Sequence, residues 1–236
     1  EFLNLEGDKL STSRNWAVWL HEYLEEFPEK ADELRYVLTS ILPENKDSEF
    51  TWKDYQDRIN NELVAIFGNF VNRVVVLTNK YYDGVVPESA EILNSDKTII
   101  EEVKKTAIQI GESIEAYRFR EALAGAMNIA RIGNKYLQDS EPWKLVKTDP
   151  ERVKTIMKIA LQIAANLAVA FEPFMPSKSK KLSDMLGLDG EQKWSDLGSF
   201  SLLQENKKIN QPELLFTKIE DKMVEDQLAK LAESKA

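Results

Sequence analysis

Apolar side chains recur at helical spacing along most of this chain, and the longest stripe is Leu63, Phe67, Phe70, Val74, Leu77 and Tyr81, at steps of 4, 3, 4, 3 and 4. Such steps keep one face of a helix apolar. Residues 51–82 are therefore predicted to form one core helix, with Thr51 as N-cap and Asp54 three positions later, as in a capping box. Asp83-Gly84, with Pro87 after it, ends the pattern. A second stripe, Val153, Ile156, Ala160, Ile163, Leu167 and Phe171, runs through residues 150–172, and Ala164, Ala165, Ala168 and Ala170 fill much of the remaining surface. A helix that is small and apolar on several sides belongs at the centre of a bundle.

Shorter patterns surround these two. Trp16, Leu20, Tyr23 and Leu24 predict a helix over 15–27, stopped by Pro28; Leu34, Val37, Leu38 and Ile41 predict another over 31–41, stopped by Pro43. The acidic run 44–49 reads as a loop. Helices are predicted over 96–111 and 112–138, and Ser140-Glu141-Pro142-Trp143 reads as a helix start with Ser140 as N-cap. Phe174-Met175-Pro176-Ser177 breaks the central helix; a short helix over 179–186 and a charged one over 219–234 follow. Residues 1–14 have no amphipathic period and read as a loop, mobile unless something packs on it. The predicted fold class is all-α, a helical bundle preceded by a short loop and a helical connector.

Composition narrows the chemistry. At 236 residues and 43% hydrophobic content the chain can bury one substantial core, and 9 Gly with 8 Pro disfavour sandwiches and disorder. No apolar run is read as reaching the roughly 20 residues that span a bilayer, so no membrane partner is expected. With no cysteine, thiolate chemistry and disulfides are excluded, in keeping with a reducing, cytoplasmic setting. The single histidine, His21, lies in a helical stretch and reads as a surface or structural residue. A net charge of −9 opposes non-specific coating of nucleic acid, so any such function must rest on particular residues.

Three places carry candidate chemistry. Gly7-Asp8-Lys9-Leu10-Ser11-Thr12-Ser13-Arg14 is a polar, cationic loop of the kind that closes over a triphosphate and stabilises charge developing at its α-phosphate. Asn69 and Arg73 stand four apart on one helix face, where an amide and a guanidinium fork suit the edges of splayed-out bases. By spacing alone that pair reads first as a structural amide and a surface salt-bridge arginine. Trp143, early in a helix, is a stacking platform for a base or, equally, a staple folded back on the core. Trp16, Trp19, Trp52 and Trp194 read as packing residues.

Together these residues resemble the methionyl-tRNA synthetases of bacterial type, a class I aminoacyl-tRNA synthetase family. Lys9-Leu10-Ser11-Thr12-Ser13 is similar to the class's Lys-Met-Ser-Lys-Ser loop. Gly68-Asn69-Phe70-Val71-Asn72-Arg73, Glu141-Pro142-Trp143-Lys144-Leu145 and Pro173-Phe174-Met175-Pro176 with Lys181-Leu182 follow in the family's order. The resemblance implies the α-helical anticodon-binding domain, with Asn69, Arg73 and Trp143 contacting the CAU anticodon of methionine tRNA. It implies that Lys9, Ser11, Thr12, Ser13 and Arg14 serve catalysis, Lys9 and Thr12 on the ATP side, in a ligase that forms methionyl-adenylate. Thr12 stands where the family carries its second loop lysine; a hydroxyl donates one hydrogen bond and no charge.

The same resemblance implies two parts, 1–50 as signature loop and stem-contact connector and 51–236 as anticodon-binding bundle. The nucleotide-binding catalytic domain and the zinc-binding insertion of the family are expected before Glu1, so this stretch alone is expected to be inactive and to hold no zinc. A tRNA-binding extension, and a homodimer formed through it, are possible after Ala236. The rival readings are another class I synthetase, such as a leucyl or cysteinyl enzyme, and a non-enzymatic helical scaffold.

Overall fold

The computed structural model describes residues 1–188, 190 and 192–234. Helices dominate, as predicted, and a small sheet joins them at the N-terminal end. Strands β1 (Leu3–Leu5), β2 (Asp8–Lys9) and β3 (Ser48–Phe50) lie in the order β2-β1-β3. β1 and β2 are antiparallel, Asn4 opposite Lys9, while β1 and β3 are parallel, Leu3 opposite Ser48. Glu6 and Gly7 both have positive φ, 47° and 80°. A two-residue turn of that kind matches the twist of its strands, and glycine takes the second position at no steric cost.

The sheet corrects two expectations, since 1–14 and 44–49 were both predicted as loop. Strands of two or three residues are too short to display alternation. Their register comes from remote partners: Phe2 N–H donates to Asp47 Oδ1 at 2.8 Å and Trp52 N–H to Glu6 Oε1 at 2.6 Å.

Helix α1 spans only Leu20–Glu26, not 15–27, because Asn15 is left-handed (φ 53°) and Trp19 extended. Trp16 pairs with Ser11 across a bridge, and its indole N–H donates to the Leu5 carbonyl at 2.9 Å. Of the four predicted apolar residues Trp16 and Tyr23 are buried, but Leu20 and Leu24 are 60% and 43% exposed. Tyr23 and Phe27 stack on Trp52 and meet Tyr55 edge-on, and the Tyr23 and Tyr55 hydroxyls lie 2.7 Å apart. α2 (Ala31–Ser40) forms as predicted and buries Leu34, Val37 and Ile41.

The long core helix is real but composite. α3 (Trp52–Arg58), a π-helix (Ile59–Gly68) and α4 (Asn69–Tyr82) run head to tail, with Arg58 and Gly68 in right-handed helical geometry. Thr51 Oγ1 caps the start, accepting from Asp54 N–H at 3.0 Å. Leu63, Phe67, Phe70 and Val74 are fully buried; Phe67 stacks on Phe171 with ring centroids 4.6 Å apart. Left-handed Asp83 and Gly84 close the helix.

α5 (Asn94–Glu115) and α6 (Phe119–Ser140) divide at Tyr117 (φ 58°), not at the predicted 111/112. Gly111 stays inside α5, against Trp194, which is 40% exposed and so no core residue. α7 (Pro142–Leu145), α8 (Pro150–Phe171), α9 (Pro176–Leu186) and α10 (Asp221–Ser234) complete the chain. α8 touches α4, α5, α6, α7 and α9. Contrary to expectation, it has the length and hydropathy to cross a bilayer, but 89% of that stretch is buried inside the bundle, which marks it as the core helix. Two buried amides on α8 hold the irregular segment beside it. Gln162 bonds Leu202 and Leu203, and Asn166 bonds Gly198 and Ser199, at 2.6–3.2 Å.

α10 returns to α1. Lys230 reaches Glu22 and Glu26 on α1 at 2.5 and 2.7 Å, and Asn60 and Gln56 hold the Ile219 carbonyl.

Candidate functional site

Asn69 opens α4 directly after the π-helix, and Arg73 follows one turn later on the same side. The structure brings Trp143 to them. The Arg73 guanidinium carbon lies 4.8 Å from the centroid of the Trp143 ring, a cation–π contact. Among the described residues Arg73 has no ion pair, which removes the salt-bridge reading of its role. Arg73 and Trp143 are both half-buried and Asn69 is exposed. Trp143 also packs on the core, as the staple reading has it.

The turn carrying Trp143 is not built as predicted. Ser140 is the last residue of α6 and caps nothing; Glu141 (φ 40°) makes the corner and Pro142 starts α7. A proline suits that first position, where its missing N–H is not needed. What steadies the corner is a buried carboxylate that the sequence reading missed. Asp96 accepts from Arg152 at 2.5 and 2.7 Å, from the Tyr136 hydroxyl at 2.7 Å and from Leu93 N–H at 2.9 Å. Burial pushes the Asp96 carboxyl up, but these donors together hold it below its ordinary value. Tyr136 lies near the end of α6 and Arg152 near the start of α8, so one carboxylate ties both flanks of α7.

Helices α4 and α6 meet closely beside Asn69. A Cβ on Gly133 would lie 2.4 Å from the Phe70 ring, so only glycine fits there. The next residue, Asn134, donates to the Ile66 carbonyl at 2.9 Å and to the Ala130 carbonyl at 3.2 Å, and accepts from Asn69 Nδ2 at 3.4 Å. Neighbouring charges are mostly paired locally, Lys144 with Glu141 at 2.7 Å and Lys135 with Asp139.

The N-terminal loop lies on other elements, the hairpin and the turn after it. Lys9 Nζ sits 5.3 Å from the Phe2 ring centroid, Ser11 and Ser13 hydroxyls are 3.2 Å apart, and Arg14 Nη2 donates to the Lys9 carbonyl at 3.3 Å. Thr12 to Arg14 form a single exposed turn of 3-10 helix. His21 is exposed, as read. Among the described residues no three His, Asp or Glu side chains are grouped to hold a metal.

Known proteins match this chain along its whole length. The family model described as the anticodon binding domain of methionyl tRNA ligase covers residues 86–236, and that described as tRNA synthetases class I (M) covers residues 1–75. A methionine–tRNA ligase of Porphyromonas gingivalis is 60% identical over 235 residues, covering 100% of this chain and 35% of that protein. One of Bacteroides fragilis is 57% identical, with 100% and 34% covered. The chain thus spans about a third of the length of these relatives. Free Mycobacterium tuberculosis methionyl-tRNA synthetase shares the fold, with a TM-score of 0.80, 22% identity, 93% of this chain and 42% of that one covered. The same enzyme in complex with methionyl-adenylate superposes with a TM-score of 0.80 at 24% identity. With its bundle, its N-terminal hairpin and both family models in register, the chain belongs to the methionyl-tRNA synthetase family and carries that family's anticodon-binding region.

Proposed function

We propose that Asn69, Arg73 and Trp143 read the CAU anticodon of methionine tRNA, within a cytoplasmic ligase that joins methionine to that tRNA. The observation that carries this reading is the 4.8 Å Arg73–Trp143 cation–π contact with Asn69 one turn away. It sets a flat aromatic surface, a cation and an amide side by side on one face. Single-stranded loops are recognised by that combination, through stacking on the ring and hydrogen bonds to base edges.

In the same reading Lys9, Ser11, Thr12, Ser13 and Arg14 face ATP. Methionine's carboxylate attacks the α-phosphate, pyrophosphate leaves, and the tRNA's terminal hydroxyl then displaces AMP from the adenylate. The exposed donors of the hairpin and its turn suit an anionic polyphosphate. Because Thr12 brings no charge, Lys9 and Arg14 supply the cations. Residues 1–50 act as the connector between that chemistry and the bundle of 51–236. Zinc, if the whole ligase holds it, and a homodimer through a further segment belong to parts outside this chain.

The test is aminoacylation by the full-length ligase of methionine tRNA carrying CAU or a substituted anticodon. A large preference for CAU that falls in Trp143→Ala and Asn69→Ala supports the reading. Equal use of both tRNAs by the unsubstituted enzyme refutes it.

A further inference from the structure

We infer that Asn134 fixes the amide of Asn69 with its oxygen outward, so that Asn69 accepts a hydrogen bond from an amino-bearing base edge, the N4 amino of cytosine or the N6 amino of adenine. The inference rests on the anticodon reading above and adds to it a direction and a positioning residue.

Which end of an amide is nitrogen is decided by its partners. Asn134 faces two backbone carbonyls, those of Ile66 and Ala130, at 2.9 and 3.2 Å. Carbonyls only accept, so Asn134 must turn its Nδ2 to them. Its Oδ1 is then directed at Asn69, 3.4 Å away, and an oxygen can be met there only by a donor. Asn69 therefore presents Nδ2 inward and is left with Oδ1 on its exposed side. An outward acceptor matches cytosine or adenine, which carry exocyclic amines, and opposes uracil or hypoxanthine, which carry oxygens in the same places.

Two features of the fold hold this relay in place. Ile66 lies in the last turn of the π-helix, and its carbonyl accepts both the Asn69 backbone N–H and Asn134 Nδ2, which ties the Asn134 amide to the backbone that carries Asn69. Gly133 lets α6 approach Phe70 closely enough for the next side chain to span the gap.

The experiment uses the full-length ligase and three transcripts of methionine tRNA: CAU, C replaced by U, and A replaced by inosine. Asn69→Ala is expected to lower discrimination at one of these two bases by about tenfold, the scale of a lost hydrogen bond. Asn134→Ser keeps a hydroxyl that can donate to the Ala130 carbonyl but does not reach Asn69. It is expected to lose discrimination at the same base, with KM for tRNA raised and methionine-dependent pyrophosphate exchange unchanged. The double variant should be no worse than Asn69→Ala. Full discrimination by Asn134→Ser, or additive losses in the double variant, would overturn the inference while leaving the anticodon reading intact. Unaltered discrimination by Asn69→Ala at both bases would remove the reading and the inference together.

Discussion

The central carbon of the Arg73 guanidinium lies 4.8 Å from the centroid of the Trp143 ring, although the two residues are on helices α4 and α7. A planar delocalised cation can stack on an indole and still turn its N–H fork outward; an ammonium cannot. Arg73→Lys in the full-length ligase is therefore expected to behave more like Arg73→Ala than like the native enzyme. Trp143→Ala should weaken transition-state binding of tRNA by about 1–3 kcal/mol, the value of one base–aromatic stack. Steady-state kinetics with methionine tRNA, set beside methionine activation without tRNA, measures both.

Asp96 predicts a stability effect with a defined pH sign. Asp96→Ala leaves Arg152, whose side chain is 16% exposed, without its partner, which is expected to destabilise by about 3–5 kcal/mol. The native carboxyl titrates below its ordinary value, so the folded state binds fewer protons than the unfolded one in acid. Its contribution is complete above the ordinary carboxylate range and is lost as pH falls through the lower folded value. Urea titrations across the acid range should show a shallower acid limb in Asp96→Asn than in the native chain.

Gly133→Ala places a methyl against the Phe70 ring at a distance no packing allows, so helix α4 or α6 must move. A loss of about 1–3 kcal/mol is expected, read as a fall in Tm of about 2–4 °C per kcal/mol. Adding Phe70→Leu should recover part of that loss, because the two changes share one contact. Thermal denaturation of the single and double variants gives the answer.

The loop makes a separate claim on chemistry. Lys9→Ala or Arg14→Ala in the full-length ligase should slow methionine-dependent pyrophosphate exchange by orders of magnitude, each tenfold corresponding to about 1.4 kcal/mol of barrier. Thr12→Lys should raise that rate. The KM for tRNA should change little in all three, and pyrophosphate exchange followed at saturating ATP separates the effects.

Long apolar stripes were legible in the sequence because burial imposes helical periodicity over many turns. Leu63, Phe67, Phe70 and Val74, like Val153 to Phe171, fill the core that their spacing predicts. Where the chain leaves regular helix, local pattern misleads. Trp16 and Leu20 have helical spacing, yet a left-handed Asn15 and an extended Trp19 prevent the helix, and Leu20 remains exposed. The three short strands have no periodic signature; Asp47 and Glu49 hold them from more than forty residues away.

The candidate residues divide the same way. Asn69 and Arg73 share a helix face by spacing alone, and that was determined by the sequence. Their meeting with Trp143 and Asn134 was decided by tertiary structure, since it depends on a corner at Glu141, a carboxylate at Asp96 and a glycine at Gly133 lying between different helices. Periodicity records which face of a helix is buried; it holds no information about which side chain of another helix lies across the gap. That is set by packing distance and by which polar groups must find a partner once water is gone.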